Sequence, residues 1–395
     1  MAAWQSYLAE HGPRYQDELL DFLRIPSISS LPEHAQDVRH AARWVEQRLT
    51  AAGLEHVRIL ETGGHPVVYA DWLHAPEAPT VLIYGHYDVQ PAEPLDLWES
   101  PPFEATLRDG NLYARGSADD KGQVYMHLVA IRALLQAEGR LPVNLKLIVE
   151  GEEEIGSPNL DPAIVAHLTD LRADVVVISD TSMFAPGQPA LNYGLRGLAY
   201  FEIAVNGANS DLHSGGYGGA VPNPLQALVT LLASLKDSHG RITLPGFYDD
   251  VRTISYEERL AIQALGDDED ALKAYLGLDA LDGEEGYSRL ERVWTRPSLD
   301  INGIWGGYSG PGSKTVLPAS GGAKLSFRLV PDQVPARVAA LLEAQLRDLC
   351  PPGVRLSVAQ HTGSALPWLA DREHPAMAAA GRALERAFGK APVYI

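Results

Sequence analysis

Three short apolar runs, residues 81–84, 144–149 and 174–179, constrain this 395-residue chain more than any other feature, because each delivers a histidine or an acid just past its end. Val-, Leu- and Ile-rich runs of this length read as strands buried on both faces, the kind found in parallel or mixed sheets flanked by helices. In such sheets ligands collect beyond the carboxyl ends of the strands. The first run leads into Gly85-His86-Tyr87-Asp88-Val89, the second into Glu150-Gly151-Glu152-Glu153-Glu154, and the third into Asp180. Between them, Asp119 and Asp120 stand at the mouth of a helix predicted over 123–137, where the positive end of the helix dipole favours carboxylates.

His86 and Asp88 are two apart on extended backbone and therefore point the same way. One can ligate a metal while the other holds the second ring nitrogen and fixes the tautomer. Imidazole nitrogen and carboxylate oxygen suit hard and borderline divalent cations, and two ions sharing a carboxylate can activate water while polarising a carbonyl. Taken singly, Asp120 reads as an N-cap, 152–154 as a solvated acidic turn and Asp180 as a turn residue. Their convergence at three strand ends favours a metal site. A lone cysteine, Cys350, excludes a thiolate cluster and an internal disulfide.

With 32 basic against 51 acidic residues, the net charge of -19 argues against nucleic acid and anionic membranes as partners. No stretch approaches the ~20 apolar residues of a membrane span, and no leader-like segment precedes the amphipathic stretch 4–23. The expected location is cytoplasmic. The glycine-rich stretch 307–315 is not a phosphate loop, because Ser313 separates Gly312 from Lys314 and Pro318 soon follows.

Helices are predicted over 4–23 and 35–52, the latter stopped by Gly53, and strand and helix signals then alternate to Asp180, as in α/β folds. From Leu198 the rhythm changes to strand 199–205, helix 224–236, strands 299–305 and 323–330, helix 335–349 and strand 354–359. That order is βαββαβ, the ferredoxin-like α+β arrangement. Residues 246–297 read as an acidic helical insertion, and 374–388 as an alanine-rich helix returning to the first domain. The predicted boundaries are a catalytic domain over 1–195, an inserted lid over 196–366, and a return over 367–395.

These segments resemble the M20 metallopeptidases, and within them the cytosolic dipeptidase and carnosinase branch. The likeness rests on GHYDVQP (85–91), LYARGSADDKG (112–122), EGEEEIGS (150–157), ISD (178–180), YGLRGLAYFEI (193–203), DLHSGGYGG (211–219), SGPGSKTVLP (309–318) and FRLVPDQ (327–333). It implies a mixed-sheet, zinc-peptidase-like α/β domain carrying two divalent ions, Zn or Mn, with a ferredoxin-like lid that also forms a homodimer.

The resemblance implies that His86 and Asp180 bind one ion, Glu154 belongs to the other and Asp119 bridges them through a cis Asp119–Asp120 junction. Asp88 would support His86 and Glu153 would be the general base, leaving Glu152 as the extra residue. Arg328 would hold a substrate carboxylate, Thr315 and His361 would contact substrate, and His213 would reach from one subunit's lid into its partner's site to support the oxyanion. The expected reaction is hydrolysis of dipeptides with a free carboxylate. In the family a C-terminal segment supplies a further metal-binding histidine, and that segment would begin where these residues reach Ile395. One ion is therefore expected to bind better than two. An N-acyl amino acid deacylase and a catalytically silent peptide- or metal-binding protein are the alternatives.

Overall fold

In the computed structural model, which describes residues 2–361 and 363–395, the strand Thr80–His86 pairs in parallel with Asn144–Glu150 on one side and Val175–Ile178 on the other. Val67–Trp72 adds antiparallel to Asn144–Glu150, and Glu55–Leu60 adds antiparallel at the edge, so the five-stranded sheet is mixed. This sheet belongs to the first of two compact units, Met1–Gly187 and Gln188–Ile395.

Helices Ala3–Leu23, Ala35–Ala52 and Lys121–Glu138 pack Phe22, Trp44, Leu49, Val124 and Leu128 with Val68, Leu145 and Leu147 of the sheet. Each such side chain contributes about 1.5–3 kcal/mol on full burial, and the Phe22 and Trp44 rings stack at 4.1 Å. Gly53, at φ 96°, ends the second helix where predicted.

In the second unit the sheet order is Ser298–Gly306, Ser320–Leu329, Gly197–Asn206, Arg355–Gln360, antiparallel throughout. Helices Pro224–Ala233 and Pro335–Leu349 bury Leu228, Leu231, Leu342 and Leu346 against Phe201, Ile203, Leu325 and Phe327. This is the predicted ferredoxin-like arrangement. The strand Ser320–Leu329 starts three residues before its predicted beginning, through Gly321 and Gly322. Glycine pairs ordinarily interrupt strands, but here a Cβ on Gly322 would lie 2.2 Å from the Trp305 ring, so the bare backbone is what admits that indole. The first lid helix ends at Ala233, short of 236, because the Ser234 hydroxyl donates to the Leu231 carbonyl (2.7 Å) and Lys236 then bridges to Ile242.

The acidic insertion holds three helices, Tyr256–Ala264, Glu269–Leu276 and Arg289–Thr295, each capped by a serine or aspartate side chain. Ala190–Leu191 pairs with Val393–Tyr394, and Gly194–Leu195 with Trp368–Leu369. His374 caps the helix Pro375–Phe388, its Nδ1 accepting from the Ala376 N–H at 3.2 Å. Among the described residues, no helix is long and apolar enough to cross a membrane.

Candidate metal centre

Parallel pairing sets His86 beside Glu150 and Tyr84 beside Ile178, so the three strand ends deliver His86, the 150–154 turn and Asp180 to one edge of the sheet. Gly85 allows a close approach here: a Cβ on it would meet Val124 Cγ2 at 2.5 Å and Asp120 Oδ2 at 2.7 Å. Asp120 is the N-cap of Lys121–Glu138 by position, yet its carboxylate caps nothing in the helix. Its Oδ2 accepts from the His86 backbone N–H at 3.1 Å, while Oδ1 is buried without a hydrogen-bond partner. The Asp119–Asp120 peptide bond is cis.

His86 is fully buried. Its Nε2 lies 3.1 Å from Asp119 Oδ1, 3.6 Å from Asp180 Oδ2 and 4.0 Å from Glu153 Oε2. On the other side of the ring, Nδ1 is 3.1 Å from the Asp88 carbonyl oxygen and 3.3 Å from its carboxylate. Donor atoms of His86, Asp119 and Asp180 all lie within 4.8 Å of one another. The buried Asp88 carboxylate also accepts from the backbone N–H groups of Glu153 (3.2 Å) and Glu154 (3.1 Å). Glu154 accepts from the Gln90 amide at 2.7 Å and joins no such triad among the described residues. Glu152 points elsewhere, accepting from the His65 N–H (3.0 Å) and the Asn159 amide (2.9 Å).

Burial pushes the Glu153 carboxyl up to about 7 against the pull of His86, and Glu154, Asp180 and Asp88 add their repulsion. Burial likewise pushes Asp120 up to about 7 and raises Glu154. Asp119 is lowered, first by its hydrogen bond to His86. For His86 burial acts downward, but hydrogen bonds to Asp119, Asp180 and Asp88 outweigh it and the imidazole is pushed up. Mutually repelling carboxylates gathered on one imidazole form a donor set that a divalent cation fits in both charge and ligand type.

In the second unit, His213 and Thr315 come together: His213 Nδ1 lies 3.1 Å from Thr315 Oγ1 and 3.2 Å from its carbonyl oxygen. Arg328 is an exposed residue opposite Leu198. His361 donates its backbone N–H to Tyr200 (2.9 Å) and sets its ring edge-on to that tyrosine at 5.2 Å. Arg328 and His361 thus flank Leu198 and Tyr200. The loop carrying Thr315 instead enters the central strand at Ser320, roughly 27 Å from Arg328 at about 3.4 Å per residue.

Sequence reasoning missed Gln90 and Arg196, although both stand in the quoted motifs. Arg196 is lowered by burial and then by the charge of Arg328, so two guanidiniums share one locality. A second arginine beside a substrate-type motif was the available signal.

Residues 82–395 match peptidase family M20/M25/M40. The chain is 35% identical over 341 residues to the Cys-Gly metallodipeptidase DUG1 of Candida albicans, covering 82% of this chain and 70% of that protein. It is 36% identical over 331 residues to the human Beta-Ala-His dipeptidase, covering 83% of this chain and 65% of that protein. The solved structure of the M20 family metallo-carboxypeptidase Sso-CP2 from Sulfolobus solfataricus superposes with a TM-score of 0.86 at 36% identity, covering 96% of this chain and 85% of that one.

Proposed function

Because the chain belongs to peptidase family M20/M25/M40, we propose that the cluster around His86 is the metal centre of a hydrolase that cleaves dipeptides bearing a free C-terminal carboxylate. The convergence of His86, Asp119 and Asp180 donor atoms within 4.8 Å carries this reading. Those three residues would hold one ion, and Asp119 and Glu154 would hold a second; zinc and manganese both suit such ligands. When bound, the ions supply Lewis-acid polarisation of the scissile carbonyl and lower the pKa of water.

Glu153 takes a proton from the attacking water and returns it to the leaving amine as the C–N bond breaks, work that suits a carboxyl raised toward neutrality. Asp88 holds both the His86 ring and the backbone of the glutamate turn, so it is a positioning residue. Arg328, with Arg196 nearby, receives the substrate carboxylate by paired hydrogen bonds. His361 contacts the same end of the substrate. His213 donates to the developing oxyanion and Thr315 orients its ring.

A dipeptide spans about 7 Å, far less than the length of strand between the Thr315 loop and Arg328. That mismatch supports a two-fold homodimer in which each site takes one pair from each chain. Ala190–Leu191 and Gly194–Leu195 pair with segments after Pro367 inside the second compact unit, so assigning 1–195 and 367–395 to the catalytic domain and 196–366 to the lid rests on the family alone.

The deciding assay compares turnover of Cys-Gly, β-Ala-His and N-acetyl amino acids by the metal-loaded protein. Hydrolysis of dipeptides above acetyl amino acids is the expected result. The reverse order selects a deacylase, and metal binding without turnover of either selects a silent binding protein.

A further inference from the structure

A second set of metal-ligating side chains converges on the antiparallel pair Glu55–Leu60 and Val67–Trp72, at the edge of the first unit's sheet. Glu55 stands opposite Asp71, and the register slips between Glu55 and Arg58. His56 lies in that slip at φ 49°, a left-handed conformation that histidine tolerates better than most residues. Its Nδ1 reaches to 2.8 Å from Asp71 Oδ1. Donor atoms of Glu55, His56 and Asp71 lie within 4.8 Å of one another, and His74 Nε2 is 2.9 Å from Glu55 Oε2.

Asp71 anchors the group. It is 5% exposed, and its Oδ2 accepts from the Tyr69 hydroxyl at 2.9 Å, which orients Oδ1 toward His56. The His74 ring packs edge-on against Trp72 at 5.2 Å. Supporting contacts of this kind hold ligand side chains in place before an ion arrives. Glu55, His56 and His74 are open to solvent, so an ion enters without any rearrangement of the core.

We propose that Glu55, His56, Asp71 and His74 form a separate site for a divalent transition ion such as Zn²⁺, independent of the His86 centre. Glu55, His56 and Asp71 bring three donor atoms within 4.8 Å of one another, against the separation of about 3.3 Å between ligand atoms in four-coordinate zinc. His74, which lies outside that group but contacts Glu55 at 2.9 Å, turns its exposed ring in as the fourth ligand. Imidazole donors disfavour calcium and magnesium. Bound there, the ion ties the edge strand to its neighbour across the irregular register and stabilises the sheet where it is otherwise held from one side only.

Equilibrium dialysis of the full chain against Zn²⁺, with Co²⁺ as a spectroscopic probe, tests this in wild type, His56→Ala, His74→Ala and Asp71→Asn. Each variant should retain about one equivalent less than wild type, with dipeptide turnover within about twofold of it, as for substitutions remote from the chemistry. Unchanged stoichiometry in both His56→Ala and Asp71→Asn overturns the site. Should those variants fold poorly, the Asp119→Ala protein reports instead: Zn²⁺ should shift the His56 and His74 ring resonances together, and resonances that stay in place overturn it equally.

Discussion

Asp88 accepts a hydrogen bond from the backbone N–H of Glu153 at 3.2 Å, from a position two residues beyond the histidine it also faces. One buried carboxylate thereby couples the orientation of the His86 ring to the placement of the glutamate turn. Asp88→Asn replaces an acceptor oxygen with a donor group facing N–H groups or the imidazole. The expected result is a fall in kcat of about 10- to 100-fold, typical for loss of an outer-shell partner, with the folded state retained by circular dichroism. A kcat within experimental error of wild type would remove Asp88 from this role.

Glu153→Gln should leave metal content intact and cut turnover by at least ~10²-fold, the usual scale for losing a general base. Asp119→Ala should instead release metal, measured by elemental analysis after dialysis. If Glu153 is the general base, activity needs its ionised form and rises with pH through that group's pKa. Burial pushes this carboxyl up to about 7 in the bare cluster, and a neighbouring cation acts the other way, so the acid limb of kcat/KM should fall below pH 7. Metal loss in Glu153→Gln equal to that in Asp119→Ala would show that the glutamates had been assigned in the wrong order.

What could be read from the sequence was whatever depends on neighbours in the chain. Apolar runs gave the three parallel strands with their terminal acids, and the turn-and-period signals gave the lid's strand and helix order. Glu152 shows the limit: it is chemically identical to Glu153 and Glu154, and what separates them is which backbone groups each carboxylate can reach, including His65, 87 residues away. Asp120 shows it too. Its position says N-cap, whereas Gly85 leaves room for its side chain to bond the histidine's backbone. The His56 group was invisible because strand register and a left-handed residue bring its members together, and neither is written in spacing.

Glu18 is predicted to be a stability hub of the first unit. It accepts from the Tyr125 hydroxyl (2.8 Å) and Arg14 (2.9 Å), with Arg48 at 3.2 Å and Arg132 at 3.6 Å. Burial alone would raise its pKa, but the hydrogen bonds from Tyr125 and Arg14 and the charge of Arg48 bring it below the ordinary value. A depressed folded-state pKa contributes stability above the unfolded value of about 4.3, lost as pH falls through the folded value. Glu18→Gln should therefore cost about 1–3 kcal/mol at neutral pH, the scale for a charged hydrogen-bond partner. The gap from wild type in thermal or urea unfolding should close in acid; a gap that persists unchanged below pH 3 (well under that ~4.3 reference) would assign the loss to packing.

The dimer proposal makes the strictest demand on the lid residues. His213 and Thr315 hydrogen-bond to each other, whereas Arg328 lies at the far end of the central lid strand, the separation from which the shared site is proposed. If each site draws His213 from the partner, a His213→Ala chain and a Glu153→Gln chain are each inactive as homodimers but complementary when mixed. In the heterodimer one site combines an intact Glu153 with an intact partner His213, and the other site has neither. Activity per heterodimer should be about half that of wild type, since one of two symmetric sites is whole. Mixed subunits separated by orthogonal tags and assayed on Cys-Gly would reveal it, and heterodimers that form without regaining activity would place His213 in its own chain's site or outside catalysis.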